Sequence, residues 1–242
     1  MKLSAMLISV VSVFLVLILF FGPVYGQDEE IDKNNPLRFK RDIDWFIDWD
    51  SKNSVPDDAV LFVGSSSIRM WSTCRSFPDM KVINRGFGGS HISDVIYYSD
   101  CIVLPYKPKV MVFYAGDNDI AGGKSAGRVL EDYRRFIKIV HKAMPKTPVI
   151  FIAIKPSLSR WKLWPEMKKA NTIIQDYCAS DERLSFVDIS VVLLGKDGKP
   201  DKKLFLDDQL HLSDEGYRKW TAVLRPVIQK AYSITKEKAC CR

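Results

Sequence analysis

Five short apolar runs punctuate this chain, each closed by glycine or another turn residue. They are AVLFVG (Ala59–Gly64), KVINRG (Lys81–Gly86), VMVFYAG (Val110–Gly116), PVIFIAI (Pro148–Ile154) and the weaker LSFVDI (Leu184–Ile189). The runs are continuous rather than alternating, which is the pattern of strands covered on both faces. Between them the apolar residues switch to a helical period. The clearest case is Val129, Tyr133, Phe136, Ile137 and Val140, with Arg and Lys on the other face. A second helix is expected over Trp164–Cys178, and a third from Tyr217 towards Ala231 with a kink at Pro226. Alternating strands and helices predict an α/β domain, a three-layer α/β/α sandwich around a mostly parallel five-stranded sheet.

The chain ends set the boundaries of that domain. Lys2 precedes an uncharged apolar run from Ala5 to Phe21; Gly22-Pro23 breaks it, and VYG leads into QDEE. Residues 1–26 therefore read as a signal peptide cut after Gly26, or as a retained signal anchor. Either way the folded part faces an extracytoplasmic compartment: secreted or periplasmic, or anchored to the membrane by that segment. Residues 27–54 read as a polar linker and a lead-in helix carrying Phe39, Ile43, Phe46 and Ile47, ended by NSVPDD. The domain is expected over 55–235, with a tail at 236–242. The formal net charge of +7 is scattered, with no basic stripe interleaved with aromatics. That argues against nucleic acid as a partner and leaves membrane contact to the N-terminal segment alone. The five cysteines have no metal-ligand spacing, and their spacing assigns no disulfide.

In open parallel sheets, ligands bind beyond the carboxyl ends of the strands. The segments to inspect are thus Ser65–Ser67, GFGGSH, GDND, KPS and the later loop LFLDDQLHL. Three consecutive serines after a strand can cap a helix. One of them can also be a nucleophile, which needs a base and a group to orient that base. The chain has three histidines. His141 lies near the C-terminal end of a helix, where the dipole favours a surface cation. His91 has Asp94 three residues later and His211 has Asp208 three residues earlier, so one helical turn would join either pair. Spacing alone does not choose between them. GKSAG (Gly123–Gly127) matches the G-x-S-x-G elbow, but Ser125 comes well after its strand and reads as an N-cap. GGKS is no phosphate loop, because Asn118 occupies the first glycine position.

At four places, in the expected order, the chain resembles the SGNH/GDSL family of hydrolases. FVGSSSI resembles the first block, whose nucleophile would be Ser66; the residue before it is Ser65, where the family's name motif has aspartate. NRGFGGSH resembles the second block, with Gly89 in the oxyanion hole, and YAGDND the third, with Asn118 as its asparagine. DDQLH resembles the last, with Asp208 and His211 completing a triad. The resemblance spans roughly Ala59 to Trp220. It implies a flavodoxin-like sheet, a Ser66–His211–Asp208 triad, and an oxyanion hole of the Ser66 and Gly89 amides and the Asn118 side chain. It implies ester hydrolysis without metal or cofactor. Residue by residue, the plain alternatives are a helix cap for Ser66, turn residues for Gly89 and Asn118, and loop charge for Asp208.

The substrate is less legible. Lys155, Trp161 and Trp164 follow the fourth run and would line the mouth of a site, or pack in the core. The expected substrates are O-acetylated carbohydrate or short-chain acyl and lysophospholipid esters. The competing class is a non-catalytic module on the same fold, holding an anion or carbohydrate on the GSSS amides.

Overall fold

Each of the five runs forms a strand in the computed structural model, which describes residues 35–240, with side chains through Ser233. The strands are β1 (Val60–Gly64), β2 (Val82–Gly86), β3 (Val110–Tyr114), β4 (Val149–Ile152) and β5 (Leu184–Val187). Their order is β2-β1-β3-β4-β5, and every pairing is parallel. This is the flavodoxin-like order, which reverses direction beside β1 and β3.

The helices are α1 (Lys40–Lys52), α2 (Ser66–Arg69), α3 (Thr73–Ser76), α4 (Ile92–Tyr97), α5 (Ser99–Ile102), α6 (Asp117–Ala121), α7 (Ala126–Ala143), α8 (Trp164–Ala179) and α9 (Asp214–Cys240). Because successive strand side chains point to opposite faces, each strand feeds two cores. Leu61, Val63, Met111, Phe113 and Phe151 pack with the inner faces of α1, α4, α7 and α8. Val60, Phe62, Val112, Tyr114 and Ile152 pack on the other side with Trp71, Phe77, Trp220 and Leu224. Cover on both faces is why the runs had no polar alternation.

Three expectations shift. In α1 the buried positions are Ile43 and Phe46, while Ile47 faces solvent. The inner stripe instead continues to Asp50, which accepts from the Arg85 guanidinium and the Tyr106 hydroxyl. α9 carries Pro226 inside it and runs on to Cys240, beyond Ala231 and through most of the expected tail. β5 ends at Val187, and Asp188 turns to cap Ser190. The signal or anchor expected over 1–26 lies outside the described residues. Among the described residues Cys74, Cys101 and Cys178 are free thiols, and burial pushes the Cys178 thiol up to about 11.

Candidate active site

The turn out of β1 carries the serines. Gly64 has φ +140°, and a Cβ there would lie 1.8 Å from the Tyr114 carbonyl oxygen of β3. Only glycine fits so close to the neighbouring strand. The Ser65 N–H donates to that same carbonyl at 2.9 Å, and Ser65 becomes the N-cap of α2. Ser66 is thereby the first residue of a one-turn helix at a strand end. Its side chain is not the cap.

The late loop brings a histidine to Ser66. Asp208 Oδ1 accepts the N–H groups of Leu210 and His211, both at 2.9 Å, and Gln209 between them adopts a left-handed φ of 55°. Asp208 Oδ2 lies 2.5 Å from His211 Nδ1, and His211 Nε2 lies 2.9 Å from Ser66 Oγ. With Nδ1–H donated to the carboxylate, Nε2 is the acceptor for the serine hydroxyl. Burial alone would raise the Asp208 pKa, but the His211 ring and the two backbone donors outweigh it and hold the carboxyl at about 2. The anion needed to orient the ring therefore persists across the neutral range. The loop is pinned on both sides: Leu206 N–H donates to the His211 carbonyl, and Phe205 bridges Leu212.

The other histidines sit elsewhere. The Asp94 carboxylate takes the backbone N–H of His91 at 2.8 Å and Arg38 at 2.7 Å, so it caps α4 rather than holding an imidazole. His141 Nε2 lies 3.1 Å from the Thr147 carbonyl, and burial lowers its pKa. That favours a neutral ring, not the expected helix-end cation. Ser125 accepts from the Arg128 N–H as the N-cap of α7.

Three potential donors face the same strand ends. Gly89 adopts φ +80° at an exposed turn, a conformation that L side chains resist. Among the described residues the N–H groups of Ser66 and Gly89 have no acceptor. Asn118 Nδ2 gives one hydrogen to the Ser90 carbonyl at 3.1 Å and keeps the other free.

Of the substrate-mouth expectations, that for Lys155 needs correction. Lys155 is 1% exposed, its Nζ held by the Tyr114 hydroxyl at 3.2 Å and by Asp117 Oδ2 at 3.1 Å. A cation sealed by its own counter-ion cannot line a mouth. Trp164 is buried in the main core, and Trp161 stacks on it with ring centroids 6.2 Å apart. The segment after β4 reaches the site through a residue not singled out in the sequence, Arg160. Its Nη2 donates to Asn118 Oδ1 at 2.9 Å, and its Nη1 lies 3.1 Å from Asp117 Oδ2. No local pattern marks this contact, since 42 residues separate the pair; only the strand-end rule pointed to the segment.

The model of the GDSL-like lipase/acylhydrolase family matches residues 69–219, more than half of the chain. The chain belongs to this family. Family membership makes it a hydrolase of ester bonds. The matched span starts three residues after Ser66, so the assignment of that serine rests on the geometry above. No curated protein matches this GDSL-like hydrolase in sequence. Solved structures share its fold at low identity. A Bacteroides fragilis protein assigned to the acylhydrolases is 19% identical, with TM-score 0.66 over 84% of this chain and 100% of its own. A GDSL-like lipase from Bacteroides thetaiotaomicron is 19% identical, with TM-score 0.63 over 83% and 100%. A carbohydrate esterase family 3 protein from Talaromyces cellulolyticus is 17% identical, with TM-score 0.57 over 72% and 98%.

Proposed function

We propose that this GDSL-like hydrolase is an exported serine esterase working through Ser66, His211 and Asp208. One observation carries the reading: the unbroken path from Ser66 Oγ to His211 Nε2 at 2.9 Å and from His211 Nδ1 to Asp208 Oδ2 at 2.5 Å. Ser66 Oγ attacks the ester carbonyl as Nε2 takes its proton, and Asp208 fixes the tautomer and stabilises the imidazolium. The carbonyl oxygen becomes an oxyanion, met by the N–H groups of Ser66 and Gly89 and the free Asn118 hydrogen. As the intermediate collapses, His211 protonates the departing alcohol and an acyl-Ser66 ester remains. A water, deprotonated by His211, then attacks that ester, and the proton returns to Ser66.

A lipase and a carbohydrate esterase both occur among the structural neighbours. They frame the substrate range proposed here, O-acetyl carbohydrate or short-chain acyl and lipid esters. The basic, then apolar N-terminus supports export, with cleavage after Gly26 or retention as an anchor.

A fluorophosphonate probe with peptide mapping tests the serine assignment. Labelling on Ser66, absent in His211→Ala, is expected. Unlabelled protein that still binds anions would instead mark a non-catalytic module.

A further inference from the structure

The cations packed into this fold are matched to carboxylates: Arg38 to Asp94, Arg85 to Asp50, and Lys124 to Asp119 and Asp132. Arg69 is different. Among the described residues its guanidinium has no hydrogen-bond or ion-pair partner, and neither has that of Arg41. Arg69 ends the helical turn that Ser66 begins. Its guanidinium lies over the second glycine of GFGGSH: a Cβ on Gly88 would sit 2.9 Å from Arg69 Cζ and 3.0 Å from Nη2. The charge is thus held one residue from the Gly89 amide.

From there Arg69 also lines a groove of about 810 Å³ between α1 and the α2–α3 turn. Arg41, Trp45 and Phe46 form its α1 wall, and Asn84 and Gly86 of β2 also line it. Trp45 is 61% exposed and stacks on Trp49. Asp42, a carboxylate in the lining, is exposed and pairs with neither arginine. An unpaired guanidinium one helical turn after Ser66 and over Gly88, opening on a groove with an aromatic wall, is a receptor for an oxyanion on an organic body.

We propose that the groove binds an anionic group, carboxylate or phosphate, on the ester substrate, with Arg69 as its receptor and the Trp45 face packing the adjoining ring or chain. This rests on the esterase reading and narrows its substrate class to anionic esters. The test measures kcat/KM for 4-acetoxybenzoate, 4-acetoxyphenyl phosphate and neutral methyl 4-acetoxybenzoate. The anionic-to-neutral ratio is compared between wild type, Arg69→Gln and Arg69→Ala, so that intrinsic reactivities cancel. Glutamine keeps the first methylenes of the side chain while removing the guanidinium over Gly88 and its charge, and alanine removes both. The ratio is expected to fall about tenfold in both variants, chiefly through KM, as loss of a charged hydrogen bond requires. The anion with the larger fall identifies the preferred group. An unchanged ratio, or an equal loss on all three esters, overturns the groove assignment while the esterase reading stands. If wild type cleaves none of the esters, both readings fall.

A separate observation concerns the oxyanion asparagine. Arg160 bonds Asn118 Oδ1, and Asp117 Oδ1 accepts the Asn118 N–H at 3.1 Å. Asp117 is in turn held by Lys155 and Arg160. An amide oxygen tied to a guanidinium leaves its NH₂ turned the other way and polarised as a donor. We infer that Arg160 is a positioning residue, acting on the reaction through Asn118. Arg160→Ala is expected to lower kcat on the neutral ester about tenfold with KM within about threefold. In an Asn118→Ala background the same change is expected to cost nothing further. Guanidinium ion at millimolar concentration is expected to restore kcat to Arg160→Ala but not to the double variant. Additive losses, or rescue of both, would make Arg160 an independent group and overturn the inference.

Discussion

Ser66→Ala is expected to lower kcat on a short-chain ester by on the order of 10⁶, to the residual rate that binding and oxyanion donors sustain. Ser125→Ala, in the G-x-S-x-G look-alike, is expected to cost about 1 kcal/mol of stability through loss of a helix cap and to leave kcat within about twofold. The contrast follows from position. Ser66 Oγ lies 2.9 Å from an imidazole, whereas Ser125 Oγ is engaged by the Arg128 N–H. Steady-state kinetics on the two variants decides between them, and wild-type activity in Ser66→Ala would remove the mechanism. Wild-type-like activity in Asp208→Asn would likewise count against the triad. An amide there favours the wrong tautomer, at a cost on the order of 10⁴.

The second large effect is on stability. Asp117 is buried and, among the described residues, is the one carboxylate paired with the sealed Lys155 ammonium. Asp117→Ala leaves that charge in the interior with only the Tyr114 hydroxyl and with Arg160 nearby. A broken buried pair of this kind costs about 3–5 kcal/mol, read as a lower urea midpoint at unchanged m-value. Adding Lys155→Met is expected to recover more than half, since an apolar replacement has no charge to strand. Burial opposes ionisation of Asp117, but Lys155 and Arg160 prevail and hold its carboxyl below the ordinary value. A depressed carboxyl contributes stability that is complete above its unfolded pKa of about 4 and is lost as pH falls through the folded value. The gap between wild type and Asp117→Ala is therefore expected to be full at neutral pH and to close on acidification below about pH 4. A gap under about 1 kcal/mol at pH 7, or one that widens in acid, would show that Asp117 does not hold Lys155.

The Asp117–Lys155–Arg160 cluster also shows where sequence reading stops. The strand-end rule places Lys155 after the right strand but does not set its depth, and the side chain is buried. The rule says which residues leave the sheet, not which find a counter-ion there. For Trp161 and Trp164 the sequence left a site wall and the core equally open; the core took Trp164, and Trp161 packs against it half-buried. Ile47 failed for a smaller reason: a helical stripe is wider than one residue, and Asp50 claimed the inner position by bonding Arg85.

What the sequence determined by itself is local. Continuous apolar runs identify the strands, 3.6-residue periods the helices, and short glycine-, serine- and asparagine-rich segments the strand ends. These signals act over a few residues and survive without knowledge of partners. The strand order, the depth of each polar side chain and the choice between two equally spaced His–Asp pairs are long-range. The serine–imidazole contact joins residues 145 apart. The packing of α9 on β3, with the Tyr217 hydroxyl on the Ser67 carbonyl and its ring stacked on Trp71, brings them together, because a contact between distant segments is set by the summed burial of the elements carrying them, not by the residues that touch.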